Sequence, residues 1–326
     1  MKLFNLIAAV ALGLSTATVA SAQAAGNAYP SHPIRLIATY GPGSSIDIIA
    51  RILAQSLSQQ MGQTVVVENK PGAGGDLGTD FVAKAPADGY TIGFASAGPI
   101  TVNPNARKKM PYDPAKDLAP VALVGTGPNV ILVNPKLPVN TLQELIAYIK
   151  ANPDKVAYGS AGVGTSNHIA GELFQHLSKT EILHVPYKGN SEAVTDAIGG
   201  RIQMVISGVP PIISFVKSGQ LRALAVADVK RSALLPDVPT VKEAGLPGAE
   251  SVAWYGIVAP AGTPDSILQR LNKEFAKAVN KPEVKDKLSR MGIAVEAVSR
   301  EEFGKRMADE SARFKELFTK INLVMD

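Results

Sequence analysis

Residues Tyr158 to His168 read YGSAGVGTSNH. An apolar run, Val156–Tyr158, leads into a loop of glycines and hydroxyls. The loop opens a helix with Ile169, Leu173, Phe174 and Leu177 as its apolar residues. Strand, small-residue loop and helix N-terminus together form a general design for holding an anion with backbone N–H groups and a helix dipole. In this loop Gly159, Gly162 and Gly164 let the backbone come close to a ligand, and Ser160, Thr165 and Ser166 supply hydroxyl donors. A second version stands earlier. Leu36–Ala38 runs into Tyr40-Gly41-Pro42-Gly43-Ser44-Ser45-Ile46-Asp47, and a helix follows with Ile48, Ile49, Ile52 and Leu53 on one face. Taken singly, Ser45 or Asp47 there has an equally good explanation as a helix cap. A helix N-terminus carries roughly half a positive charge, so two of them converging on one carboxylate can hold it without arginine. A third glycine loop, Pro71–Gly78, reads either as a tight turn or as the floor of the same cleft.

Working outward, short Val/Ile/Ala-rich runs alternate with amphipathic helices, which predicts α/β architecture with mainly parallel sheets. Runs at Ile34–Ala38, Val65–Glu68, Tyr90–Ala95, Val121–Val124, Val130–Val133, Val156–Tyr158, Ile182–Val185, Ile202–Ile206 and Leu221–Ala227 read as strands. Helices are expected near 47–61, 78–85, 142–151 (Thr141 as N-cap), 165–177 and 191–198, the last ended by Gly199-Gly200. Val252–Val258 is a further core strand, well after the second series. Thr263 at N-cap and Pro264 at N1 then start another helix, and one more is expected around 300–317. This order predicts two lobes joined by at least two crossing segments. The first takes 25–125 plus 251–326 and the second takes 126–250.

Residues 1–24 read as a secretory signal. Lys2 is its charged start, Leu3–Leu14 its apolar stretch, and cleavage is expected after Ala22 or Ala24. The remaining chain carries 32 basic against 28 acidic residues, with 46% hydrophobic and 19% charged residues overall. That composition buries a core and fits an exported periplasmic protein, expected to be a monomer. Charges are scattered. The one cluster, Arg107-Lys108-Lys109, reads as a solvated loop, and no basic face suited to nucleic acid is present. The absence of cysteine excludes thiol catalysis and thiolate-bound metals. No nucleotide fingerprint fits: Leu77 and Asn167 stand where two G-x-G-x-x-G matches need glycine, and neither a phosphate-loop nor a nucleophile-elbow motif occurs. No cofactor is expected. His168, Glu172 and His176 share one helical stripe, but a metal would lack a third ligand; the other reading has His168 bonded to a neighbouring loop and His176 on the surface. His184 and the Val185-Pro186-Tyr187-Lys188-Gly189 segment run from a strand into a loop that can line a cleft.

At these motifs the chain resembles the Bug family of periplasmic receptors, the TctC-like solute receptors of tripartite tricarboxylate transporters. The resemblance rests on GPGSSIDIIAR (41–51), VENKPGAGG (67–75), ADGYT (87–91), the 158–168 loop, HVPYKG (184–189), LPDVPT (235–240) and APAGTP (259–264), in that order. It implies a two-lobed flytrap fold, a small carboxylate ligand held between the lobes partly through water, and delivery to a membrane permease. No catalytic residue set stands out, so no enzymatic activity is expected; the alternative readings are a ligand sensor partnered with a membrane protein or a secreted enzyme using the same cleft. The family's motif residues fall on Tyr40, Gly43, Ser44, Ser45, Gly164, Thr165, Ser166 and His168. Where the family commonly carries acids, this chain has Gln203 and Ser207. If position 207 faces the cleft, its neutrality disfavours a ligand with an essential ammonium group. Ser160, Tyr187 and Ser207 complete the expected ligand-binding set. Ser44, Ser45, Thr165 and Ser166 are expected to face one another across the cleft, with Thr165 donating to the carboxylate. Ile46, Ile100 and Trp254 are candidate apolar neighbours.

Overall fold

The computed structural model describes residues 29–321 and Val324. The expected signal segment lies outside the described residues. Ten strands run β1 (Ile34–Ala38), β2 (Val65–Asn69), β3 (Thr91–Ala95), β4 (Leu118–Val133), β5 (Ala157–Ser160), β6 (Leu183–Pro186), β7 (Met204–Gly208), β8 (Arg222–Val226), β9 (Val252–Pro260) and β10 (Ala294–Val295). The helices of two turns or longer are α1 (Ser45–Met61), α2 (Asp76–Ala83), α3 (Leu142–Ala151), α4 (Ser166–Ser178), α5 (Asn190–Gly199), α6 (Asp265–Asn280), α7 (Pro282–Ser289) and α8 (Arg300–Ile321).

The strands form two mixed sheets that share one strand. In the first, the order is β2-β1-β3-β9-β4, with β10 on the far side of β4. In the second, β6-β5-β7-β4 is completed by β8. Parallel pairing holds inside each βαβ series, between β1 and its neighbours β2 and β3 and between β5 and its neighbours β6 and β7. The pairs made by β4 and β9 are antiparallel, so parallel order is confined to the outer part of each sheet. The runs at 121–124 and 130–133 are therefore not two strands. Gly125, Gly127 and Pro128 between them remain in one 16-residue extended strand, which slips register twice against β9. Its first part pairs with β9 as far as Pro128, and its last part lies between β7 and β8. The return crossing runs alongside, with the Asn129 amide on the Ser251 carbonyl at 3.3 Å and the Ser251 amide on Ala227 at 2.9 Å.

Each lobe has its own core. In the first, Ile49, Leu53 and Leu57 of α1 pack in one cluster with Leu36 of β1 and Phe275 of α6. The i, i+4 spacing of those three α1 residues puts them on the same helical face. In the second, Tyr158, Phe174 and Ile206 bring β5, α4 and β7 together. Three local expectations need correction. Helix α6 begins at Asp265 without a side-chain cap, because the Thr263 hydroxyl donates to the Pro260 carbonyl at 2.8 Å. Helix α2 starts at Asp76, two residues early, following a turn through Gly74 and Gly75 at positive φ. Arg107 is not solvated; its guanidinium reaches buried Asp76 at 3.2 Å.

The C-terminal helix returns to the first lobe. Glu310 of α8 accepts from Trp254 Nε1 at 2.6 Å and from Thr101 Oγ1 at 2.8 Å. Both donors belong to buried residues; removing the carboxylate strands the Trp254 N–H, whereas the Thr101 hydroxyl keeps the Ala97 carbonyl at 3.0 Å. Glu310→Ala is expected to destabilise the fold by about 2 kcal/mol or more, lowering the melting temperature by several degrees while ligand affinity is retained. Scanning calorimetry and ligand titration on the same variant check both halves.

Candidate functional site

At the C-terminal ends of the parallel strands in both sheets lies one cavity, with about 380 Å³ of space free of protein atoms. Open α/β sheets place ligand sites at this edge. The first lobe contributes Tyr40 after β1, Ser44, Ser45 and Ile46 at the start of α1, and Ser96 after β3. The second contributes Ala161 after β5, Thr165, Ser166 and Asn167 at the start of α4, Asn190 at the start of α5, and Gly208 at the end of β7. Asn129 of β4 with Ala253 and Tyr255 of β9 close the wall where the sheets meet. No side chain in this lining is normally charged at neutral pH.

Three helix N-termini converge here. Helix α1 is capped by Ser44, whose Oγ accepts from the Asp47 amide at 3.2 Å. Helix α4 is capped by Thr165, whose Oγ1 accepts from the His168 amide at 3.3 Å. Helix α5 begins after Gly189 with no side-chain cap. The first turn of any helix leaves N–H groups without an intrahelical carbonyl, and each end carries partial positive charge. The carboxylate in the first turn of α1, Asp47, is turned to other work. It accepts from the Gly43 amide, Arg51 and Asn69. Burial opposes its ionisation, but these bonds prevail and hold it below the usual carboxylate range.

The lobes touch across the cavity mouth. The Gly41 amide donates to Lys188 O at 3.2 Å, and Ser191 Oγ donates to Gly43 O at 2.6 Å. Two glycines make the approach possible. A Cβ on Gly74 would lie 2.0 Å from the Val163 carbonyl oxygen, and one on Gly164 would lie 1.4 Å from Asn103 Oδ1; both glycines also hold positive φ.

Of the expected site residues, Tyr40, Ser44, Ser45, Thr165 and Ser166 line the cavity. Thr165 has a different task from the one expected. Its hydroxyl hydrogen goes to Gly162 O at 2.7 Å while its oxygen caps α4, so it has no proton for a ligand. Gly43, Gly164, Ser160, His168, Tyr187 and Ser207 stand outside the lining. Gly43 and Gly164 shape the lobe contact. Tyr187 donates to Asp196 at 2.9 Å. Ser207 is wholly buried behind Asn190. Ser160 and His168 belong to a buried cluster beneath the loop. There Ser160 Oγ meets His184 Nε2 at 2.7 Å, the two imidazoles stack at 4.2 Å, and His168 accepts from the Gly164 amide and faces Glu172. His168 is thus a prop for the loop, and the exposed His176 plays no part. Among the apolar candidates Ile46 lines the cavity, whereas Ile100 and Trp254 pack elsewhere in the first lobe.

Sequence reasoning missed Ser96, Asn129, Asn167, Asn190 and Tyr255. Asn167 had a signal, since it occupies the second position of α4. It donates to Asn129 Oδ1 at 2.6 Å and ties the α4 start to the shared strand. The signal at Asn190 was the glycine before it, which opens a helix rather than continuing a loop. Burial raises the hydroxyl pKa of Tyr40 and pushes that of Tyr255 up to about 12, so both tyrosines are neutral donors at ordinary pH.

Thr165→Ala is expected to cost about 1–2 kcal/mol of stability by loss of the cap, with the carboxylate affinity of the folded protein changed less than threefold. Chemical denaturation and calorimetric titration separate the two. The buried cluster has its own signature. Desolvation, then the neighbouring His168, push the His184 imidazole down to about 3, against a weaker opposite pull from Glu172. The unfolded imidazole binds a proton near 6.5 that the folded one refuses until about 3, so falling pH favours unfolding through that window. Urea midpoints should drop between pH 7 and pH 5, and His184→Asn should reduce that drop. An unchanged drop would show that His184 is not its source.

Comparison with known proteins places the chain in a family. Residues 49–323 fit the model of the tripartite tricarboxylate transporter family receptor. Protein BugT of Bordetella pertussis is 37% identical over 315 residues, spanning 96% of each chain. The solved structure of the periplasmic binding protein BugD is 33% identical, with a TM-score of 0.88 over 91% of this chain and 100% of its own. R. palustris Rpa4515 with adipate is 32% identical, with a TM-score of 0.87 over 91% of this chain and 99% of its own. With a two-lobed periplasmic-binding-protein fold and a match along most of its length, the chain belongs to the receptor family of tripartite tricarboxylate transporters.

Proposed function

We propose that this protein is a periplasmic receptor that binds a small carboxylate between its lobes and delivers it to the membrane permease of a tripartite transporter. The observation that carries the reading is the convergence of three helix N-termini on a cavity lined only by neutral side chains. An anion is the ligand such a field favours, and no cationic side chain is needed to hold it. A relative bound to adipate, a dicarboxylate, supports the same chemistry. The ligand set is Ser44, Ser45 and Ser166; Tyr40, whose hydroxyl donates to the Gly74 carbonyl at 2.8 Å, and Thr165, Gly43 and Gly164 shape the wall around them. The lobes divide as 25–125 with 251–326, and 126–250, and close on the ligand by population shift between open and closed forms. The protein acts as an exported monomer after removal of residues 1–22 or 1–24. The reading assigns it no catalytic role: among the described residues, Ser160, which meets His184 at 2.7 Å, is wholly buried.

Thermal-shift titration with organic acids, amino acids and neutral sugars tests the ligand class. A carboxylate at a hundredfold over its dissociation constant is expected to add about 2.7 kcal/mol of apparent stability. Stabilisation by neutral sugars alone, or by cationic amino acids alone, would overturn the reading.

A further inference from the structure

Asn190 is the first residue of α5, lines the cavity and is 5% exposed. Its Nδ2 donates to Ser207 Oγ at 3.0 Å, and Ser207 Oγ donates to the Gly208 carbonyl at 3.0 Å. A serine hydroxyl has one hydrogen. Because that hydrogen is engaged by Gly208, Ser207 can only accept from Asn190, and the amide must turn its NH2 group to Ser207. This leaves Asn190 Oδ1 as a hydrogen-bond acceptor on a residue that lines the cavity. Oδ1 is shielded from solvent and has no hydrogen-bond partner.

A buried carbonyl oxygen without a donor is unfavourable, and native structures rarely leave one unmatched without a reason. It also repels a carboxylate brought close to it. The ligand's carboxylate therefore belongs at the α1 and α4 starts, where the buried Ser45 hydroxyl stands beside that of Tyr255. Resting on the carboxylate-receptor reading, we propose that the Asn190–Ser207 pair is a specificity device, and that the ligand carries an uncharged hydrogen-bond donor which Asn190 Oδ1 accepts. An ammonium group fits poorly. The cavity lining holds no aspartate or glutamate to balance it, and three positive helix ends surround it. A hydroxyl satisfies the oxygen without bringing charge.

Matched pairs of acids read this directly: succinate and malate, glutarate and 2-hydroxyglutarate, butyrate and 3-hydroxybutyrate. Isothermal titration of the full mature chain is expected to show, for the best-bound pair, at least a tenfold preference for the hydroxylated member. Asn190→Ala should abolish the preference, weakening the hydroxylated member at least tenfold more than the unsubstituted acid. Ser207→Ala, which releases the amide without removing it, should weaken the preference in the same direction and serves if Asn190→Ala does not fold. Equal or tighter binding of the unsubstituted acid by the native protein would overturn the inference and leave the carboxylate reading standing. So would a preference that survives both substitutions. Failure of every carboxylate to bind would overturn the receptor reading, and this inference with it.

Discussion

The antiparallel pairing of β4 with β9 is the constraint on which the molecule depends. One strand belongs to both sheets, so the two lobes cannot be independent bodies on a string. Its partner brings the chain back beside it, and the crossings meet at Asn129 and Ser251. Two adjacent extended segments permit bending at one line and resist separation. The cavity sits along that line, with Asn129 and Tyr255 supplied by the crossing strands themselves. A change in lobe angle must therefore alter the distance between the α1 start on one side and the α4 and α5 starts on the other.

The electrostatic design follows from this placement. In the proposed reading, recognition uses no basic side chain: backbone dipoles and neutral hydroxyls and amides hold the ligand, and their field is fixed by the fold. Charged groups near the site are occupied with structural tasks. Asp47 ties together Gly43, Arg51 and Asn69, and Glu172 receives His168 and Tyr158. Preorganised dipoles need little rearrangement when the ligand arrives. The cost appears at Asn190 Oδ1, a buried polar atom without a partner.

Much of this was legible in the sequence, for physical reasons. Strand-loop-helix units are local, so the two loops could be read as candidate anion sites from spacing, and the family resemblance then singled out Tyr40, Ser44, Ser45, Thr165 and Ser166, which line one cavity. Long-range pairing was less accessible. The glycines and proline at 125–128 read as a break, yet pairing with β9 holds them extended, and that pairing carries Ala253 and Tyr255 to the wall. The direction of a hydroxyl proton cannot be read from residue type either. Thr165 was expected to donate to the ligand, and the Gly162 carbonyl takes its hydrogen. Ser207 was expected to matter by facing the cleft; it stands one layer behind, where it orients Asn190. Asn190 itself escaped notice because Gly189 provides no side-chain cap to announce a third helix start.

The central claim, that a carboxylate is held by neutral groups and helix ends alone, is most directly tested by its dissociation constant as a function of pH. No group in the cavity lining changes charge between pH 6 and pH 9 in this account, since the two tyrosines there are raised by burial. Titration calorimetry of the tightest-binding carboxylate at constant ionic strength should give an affinity flat within about twofold across that range, the scatter expected of a site without titrating contacts. A tenfold loss of affinity with a midpoint inside that window would mean that a titrating cation holds the ligand, and would contradict the account.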